Sequence, residues 1–124
     1  MRILLTEDDI AVRAFVGRAL EIDGHEVETA GDGLEAMECL EKHNGAFDLL
    51  VSDVKMPLMD GIALAHNAAE RWPGLPILLM TGYADQRERA EDLHQKIRDV
   101  VTKPFTLQQI RDAVSDAATS ETPS

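Results

Sequence analysis

The stretch Leu49-Leu50-Val51-Ser52-Asp53-Val54-Lys55-Met56-Pro57-Leu58-Met59-Asp60-Gly61 decides how this chain folds. Its first three residues are apolar with no polar alternation, the pattern of a strand covered on both faces in a parallel sheet. The run ends on a carboxylate, Asp53. Pro57, Asp60 and Gly61 then stop the strand and turn the chain, with Asp60 placed to cap the helix that follows. Asp53 therefore stands at the carboxyl end of a buried strand, where open α/β sheets keep their chemistry.

Outward from this segment the same unit repeats. Residues 2–6 form a short apolar run and predict the first strand, followed at once by Glu7, Asp8 and Asp9. Asp9 also suits the cap of a helix that runs to about Asp23 and turns Val12, Val16, Ala19 and Leu20 inward. Residues 25–30 predict a second strand with Val27 inward. Gly31-Asp32-Gly33 then leads into a helix whose packing residues are Leu34, Met37 and Leu40. After Asp53, a helix over residues 61–72 packs through Ile62, Leu64, Ala65, Ala68 and Trp72, and Pro73-Gly74 breaks it. A fourth strand over 76–80 runs into Thr81-Gly82. Residues 83–97 predict a helix with only a weak stripe of Ala90, Leu93 and Ile97. Val100 and Val101 form a short fifth strand that ends at Lys103-Pro104. The last helix opens at Thr106, where Gln109 completes a capping box, and buries Ile110, Ala113, Val114 and Ala117. Five alternating strand–helix units predict a doubly wound, five-stranded parallel α/β sheet, and 124 residues fit the flavodoxin-like order 2-1-3-4-5.

Composition narrows the function. A formal net charge of −11 and the absence of any Lys/Arg run argue against nucleic acid and against anionic membrane surfaces. No stretch is long and apolar enough to span a bilayer, and no signal peptide is visible, so a cytoplasmic location is expected. Cys39 is the single cysteine. That excludes a disulfide framework and leads us to expect no cysteine-based zinc site, only a small apolar residue on a helix. His25, His43, His66 and His94 are scattered as surface or rim residues. Gly31-x-Gly33-x-x-Ala36 matches a dinucleotide fingerprint, which would make the chain a dinucleotide-binding enzyme. The fingerprint belongs after the first strand, however, and here that strand ends in acids that repel a pyrophosphate.

The residues at the strand ends make one constellation: Glu7 and Asp8 after the first strand, Asp53 after the third, Thr81 after the fourth, Lys103 after the fifth. In the order 2-1-3-4-5 these face one another. Carboxylates about 4–6 Å apart repel by several kcal/mol and need a cation. Oxygen-only ligands with open positions select Mg²⁺. One carboxylate can then act as a nucleophile toward phosphorus, with Thr81 and Lys103 reading the phosphoryl oxygens.

Glu7-Asp8, the Met-Pro-x-Met-Asp-Gly ending of the central segment, Thr81-Gly82 and Lys103-Pro104-Phe105 resemble the receiver domain of bacterial two-component response regulators. The resemblance covers a single receiver domain over residues 1–118, leaving 119–124 as a disordered tail. It implies that Asp53 is the phosphoacceptor in a histidine-to-aspartate phosphorelay. It implies Mg²⁺ held by Asp8, Asp53 and the backbone carbonyl of Lys55, with Glu7 helping through water. It implies a histidine kinase or histidine phosphotransferase as donor and no enzymatic activity beyond self-phosphorylation and slow self-dephosphorylation. Two departures stand out. Val100 occupies the place of the usual switch aromatic, and the Lys55 side chain stands close to the phosphoryl site, where a phosphatase of this chemistry would carry a second acid. No effector domain is expected after the last helix, so output should be protein docking. Ile3-Leu4-Leu5-x-Glu7-Asp8-Asp9, Asp60-Gly61-Ile62-x-Leu64-Ala65 and Thr81-Gly82-Tyr83-Ala84 resemble stand-alone CpdR-type regulators. That likeness implies an adaptor that docks on ClpX and primes the ClpXP protease when unphosphorylated. A phosphorelay intermediate and a chemotaxis-type regulator are the other readings.

Overall fold

Apolar runs bounded by turn residues make the strands, and among the described residues the first, second, third and fifth strands each hand the chain to a helix that returns over the sheet. The computed structural model describes residues 1–56, 58–81, 99–102 and 105–119. Its strands are β1 (Arg2–Thr6), β2 (Glu26–Ala30), β3 (Leu49–Asp53), β4 (Ile77–Thr81) and β5 (Asp99–Thr102); its helices are α1 (Ile10–Ile22), α2 (Gly33–Lys42), α3 (Gly61–Arg71) and α4 (Leu107–Thr119). All four pairings are parallel and the sheet order is β2-β1-β3-β4-β5. The helix expected over 83–97 lies outside the described residues, as do Pro57, Gly82, Tyr83, His94, Lys103, Pro104 and the last five residues. α4 reaches Thr119, one residue past the expected domain end at 118.

Side chains alternate across the strands and feed two cores. Leu4, Leu50, Ile77 and Leu79 pack with Ala36, Met37, Leu40, Leu64, Ala65 and Ala68 of α2 and α3. Ile3, Leu5, Leu49, Val51, Leu78 and Met80 pack on the other face with Val16, Ala19 and Leu20 of α1 and with Ile110, Ala113, Val114 and Ala117 of α4. Every residue of β3 and β4 is buried. Each fully buried leucine contributes about 2 kcal/mol, which is why the central strands tolerate so little polarity.

Caps set the helix starts. Asp9 accepts from the backbone N–H of Ala11 and Val12, Asp32 from Glu35 and Asp60 from Ala63. Thr106 and Gln109 form the expected capping box, the N–H of Thr106 donating to Gln109 Oε1 at 2.8 Å and the N–H of Gln109 to Thr106 Oγ1 at 3.1 Å. Two expectations need correcting. Leu34 is exposed, because α2 buries the series Gly33, Ala36, Met37 and Leu40 and that phase turns residue 34 outward. Trp72 is the C-cap of α3 rather than part of it, and it is half-buried against the core. Gly31-x-Gly33 is a helix start, not a dinucleotide cradle: Asp32 is the cap, and the Glu35 carboxylate takes the backbone N–H of Gly31 at 2.9 Å. A carboxylate already occupies the donors a phosphate would need.

Arg111 of α4 reaches Asp23 at the end of α1 through three short hydrogen bonds, Nε to both carboxylate oxygens at 2.9 Å and Nη2 to Oδ1 at 2.6 Å. The guanidinium holds the Asp23 carboxyl below its ordinary value of 3.8, chiefly through these hydrogen bonds. A carboxyl with a lowered folded-state value favours the folded state above 3.8, and that contribution fades as pH falls through the folded value. Arg111→Gln should therefore lower the denaturation midpoint at neutral pH. The gap to wild type should close as pH falls below about 3.8; a gap of constant size from neutral to acid pH would exclude the ion pair as its cause.

Candidate functional site

Register builds the site. Thr6 pairs with Ser52 and Asp53 with Met80, while Thr81 pairs with Thr102, so the carboxyl ends of β1, β3, β4 and β5 stand side by side. The acids at the ends of β1 and β3 converge. One carboxylate oxygen each from Glu7, Asp8 and Asp53 lies within 4.8 Å of the other two. Glu7 is fully buried and Asp53 is 6% exposed, whereas Asp8 opens to solvent.

Glu7 and Asp53 are held by backbone. The Glu7 N–H donates to the Ala30 carbonyl at 3.1 Å, its carboxylate takes the N–H of Asp9 at 3.0 Å, and its carbonyl accepts from Arg13 Nη1 at 3.1 Å. Asp53 Oδ1 accepts from the N–H of Val54 at 2.9 Å, and Ser52 Oγ donates to the Asp53 carbonyl at 2.9 Å. Carboxylates this close repel by on the order of 3 kcal/mol per ionised pair at an effective dielectric near 20. The donor set is all oxygen, two ligands are fixed and one is open to solvent, and this fits a hard divalent cation that keeps several waters. Among the described residues, the buried Thr81 hydroxyl has no hydrogen-bond partner. A buried hydroxyl in that state at the end of β4 is suited to donate a hydrogen bond to a ligand oxygen.

Of the expected site residues, Glu7, Asp8 and Asp53 come together and Thr81 closes the neighbouring strand. Lys55 has an exposed side chain two residues after Asp53. Lys103 lies outside the described residues.

Sequence reasoning read Gly61 only as a turn residue. A Cβ built there would stand 2.1 Å from the Asp53 carbonyl oxygen and 2.9 Å from Val54 Cα. The Gly61 N–H also donates to the Val54 carbonyl at 2.8 Å. The start of α3 therefore rests directly on the backbone that carries Asp53. The Asp60-Gly61 step signals a turn, but nothing in it signals the close approach. Nearby, Leu58 takes a positive φ of 70° while 80% exposed, a backbone conformation that costs a leucine about 1 kcal/mol or more.

The sequence matches the response regulator receiver domain family over residues 3–115, and the chain belongs to that family. Receiver domains of two-component systems generally bind Mg²⁺ and interact with histidine kinases or phosphotransfer proteins. Response regulator MprA of Mycobacterium leprae is 38% identical over 110 residues, which cover 89% of this chain and 47% of MprA. The chain thus spans about half the length of the curated relatives it matches first. A CheY-like receiver domain protein of Methanospirillum hungatei superposes with a TM-score of 0.87 at 28% identity, covering 97% of this chain and 94% of its own. TrrA of Thermotoga maritima, solved in complex with Mg²⁺-BeF, gives 0.81 at 26% identity, covering 94% and 97%.

Gly61→Ala should destabilise the fold by about 2 kcal/mol, because backbone rather than a side chain must move to admit the methyl. Gly74→Ala, where a Cβ meets nothing within 4 Å, should be neutral. Equal denaturation midpoints for the two variants would remove the Gly61 contact as a constraint on Asp53.

Proposed function

We propose that this chain is a phosphoryl-accepting response regulator domain in which Asp53 receives the group, signalling through phosphorylation-dependent docking. The observation that carries the reading is the convergence of the Glu7, Asp8 and Asp53 oxygens within 4.8 Å at the ends of β1 and β3.

Asp8, Asp53 and the backbone carbonyl of Lys55 would hold Mg²⁺, with Glu7 acting through water. When bound, the ion neutralises the carboxylates and the incoming phosphoryl oxygens. The chain supplies the rest. An Asp53 carboxylate oxygen attacks phosphorus as the bond from phosphorus to the donor histidine nitrogen breaks, and the imidazole leaves as the neutral base once it takes a proton. The backbone hydrogen bond from Val54 and the packing of Gly61 fix Asp53 before the donor arrives, so little reorganisation remains at the moment of transfer. Thr81 and Lys103 bond the phosphoryl oxygens. Catalysis is confined to this self-phosphorylation and to slow self-dephosphorylation.

The new group adds about −1.5 to −2 charges. Thr81 and Lys103 move toward it and draw with them the segments after β4 and β5, which makes residues 84–117 the docking surface. The three CpdR-like stretches support an adaptor that binds ClpX, the unfoldase of ClpXP, in the unphosphorylated state. A phosphorelay intermediate or chemotaxis-type regulator would use the same pocket with a different partner.

A small-molecule phosphodonor with Mg²⁺ should add one phosphoryl group, and Asp53→Asn should abolish it; labelling that persists in the variant would sink the acceptor assignment. Binding to ClpX is read separately. Beryllofluoride on the wild type should weaken it at least tenfold, equal to about 1.4 kcal/mol. No binding in either state would discard the adaptor and leave the phosphoacceptor standing.

A further inference from the structure

A second set of metal-ligating side chains stands away from the carboxylate pocket, between the edge strand β2 and the end of α2. One ligand atom each from Glu28, Cys39 and His43 lies within 4.8 Å of the other two. Cys39 and His43 are one helical turn apart on the same face, since the His43 N–H donates to the Cys39 carbonyl at 3.1 Å. Across from them, Glu28 Oε1 stands 3.6 Å from His43 Nε2. The His43 ring is set edge-on against Phe47, their centroids 5.6 Å apart. We propose that Glu28, Cys39 and His43 form a binding site for a borderline transition-metal dication of the Zn²⁺ type.

The donor set decides the ion. A thiolate and an imidazole are poor ligands for Mg²⁺ and good ones for Zn²⁺ and its neighbours, so this site and the all-oxygen pocket take different metals. Three protein ligands leave a fourth tetrahedral position to water, and the half-exposed location gives the ion a way in. Binding exchanges the Cys39 thiol proton for the metal, the proton leaving to solvent. A count of one cysteine excludes thiolate clusters, but it does not exclude this mixed site.

Arg2 is the competing cation. Its Nη2 donates to Glu28 Oε2 at 3.2 Å and lies 3.3 Å from His43 Nδ1. Coordination through His43 Nε2 puts the ring proton on Nδ1 and displaces Arg2 from that contact. Arg2 keeps its other anchors: Glu28 Oε2, the Ala46 carbonyl at 3.0 Å and the face of Phe47 at 4.6 Å. It then orients Glu28 from behind, as partners of metal-bound carboxylates commonly do. Without metal, the same residues are a surface ion-pair cluster beside a packed cysteine, and the experiment separates these two descriptions.

Metal-free protein comprising residues 1–124 is titrated with Co²⁺. The ion bound at Cys39 should give the near-ultraviolet charge-transfer band of a cobalt thiolate, saturating at one equivalent of thiolate-bound Co²⁺, and Zn²⁺ should bleach it. Cys39→Ser should lose the band. Glu28→Gln and His43→Gln should weaken Co²⁺ and Zn²⁺ binding at least tenfold, with circular dichroism confirming that each variant is folded. Millimolar Mg²⁺ should leave the band unchanged. Absence of the band in wild type, its survival in Cys39→Ser, or its loss to Mg²⁺ would overturn the site.

Discussion

β1 pairs with β3 so that Thr6 stands opposite Ser52, and the next residue along each chain, Glu7 just past β1 or Asp53 at the end of β3, stands at the same level. That pairing forces acids together against their own repulsion. The opposing force is burial: Ile3, Leu4, Leu5, Leu49, Leu50 and Val51 are fully enclosed, alternating between two cores. A slip of one residue would exchange the faces of a whole strand and strip both cores of their leucines. Repulsion at the strand ends is too small to drive that slip. The sheet therefore fixes a charge arrangement that the side chains alone would refuse, and a site built this way attracts cations.

Two glycines carry this rigidity outward. Gly61 sits against the Asp53 carbonyl, and a Cβ at Gly33 would stand 2.1 Å from the carbonyl oxygen of Met59. Met59 and Gly61 flank Asp60, the cap of α3. α2, the segment before α3 and β3 are thus in backbone contact around one point. Leu58 adjoins that point with a positive φ, so the strained residue is anchored at its downstream side by the same contacts. A side chain added at either glycine pushes on main chain, which cannot rotate away as a side chain can.

The parts legible in the sequence are those written as side chains with a period or a cap. The apolar run into Asp53, the three acids after β1, the Thr106–Gln109 box and the buried face of α4 all have that form. Leu34 misled because the search for an apolar face skips glycine: the true series begins at Gly33, which buries backbone and has no side chain to count. Glu7 was legible as an acid. Its complete burial and its bond to the N–H of Asp9 depend on how β1 leaves the sheet, which no local pattern encodes. Gly61 and the Glu28–Cys39–His43 group share this limit. Both are contacts between segments distant in sequence, and each residue has an adequate local explanation that hides the other one. Lys103 belongs to the constellation by position after β5, and the described residues stop just short of it.

Strand order also bears on how the chain assembles during synthesis. β1 lies between β2 and β3, so the first half of the sequence carries every partner its central strand requires. A nascent chain can close β2-β1-β3 with α1 and α2 before β4 has left the ribosome, and β4 and then β5 extend the sheet at one side only. That order leaves the β3 flank as the growing edge, the same strand whose end bears Asp53. The acids of the pocket therefore come together early, while Thr81 joins them late.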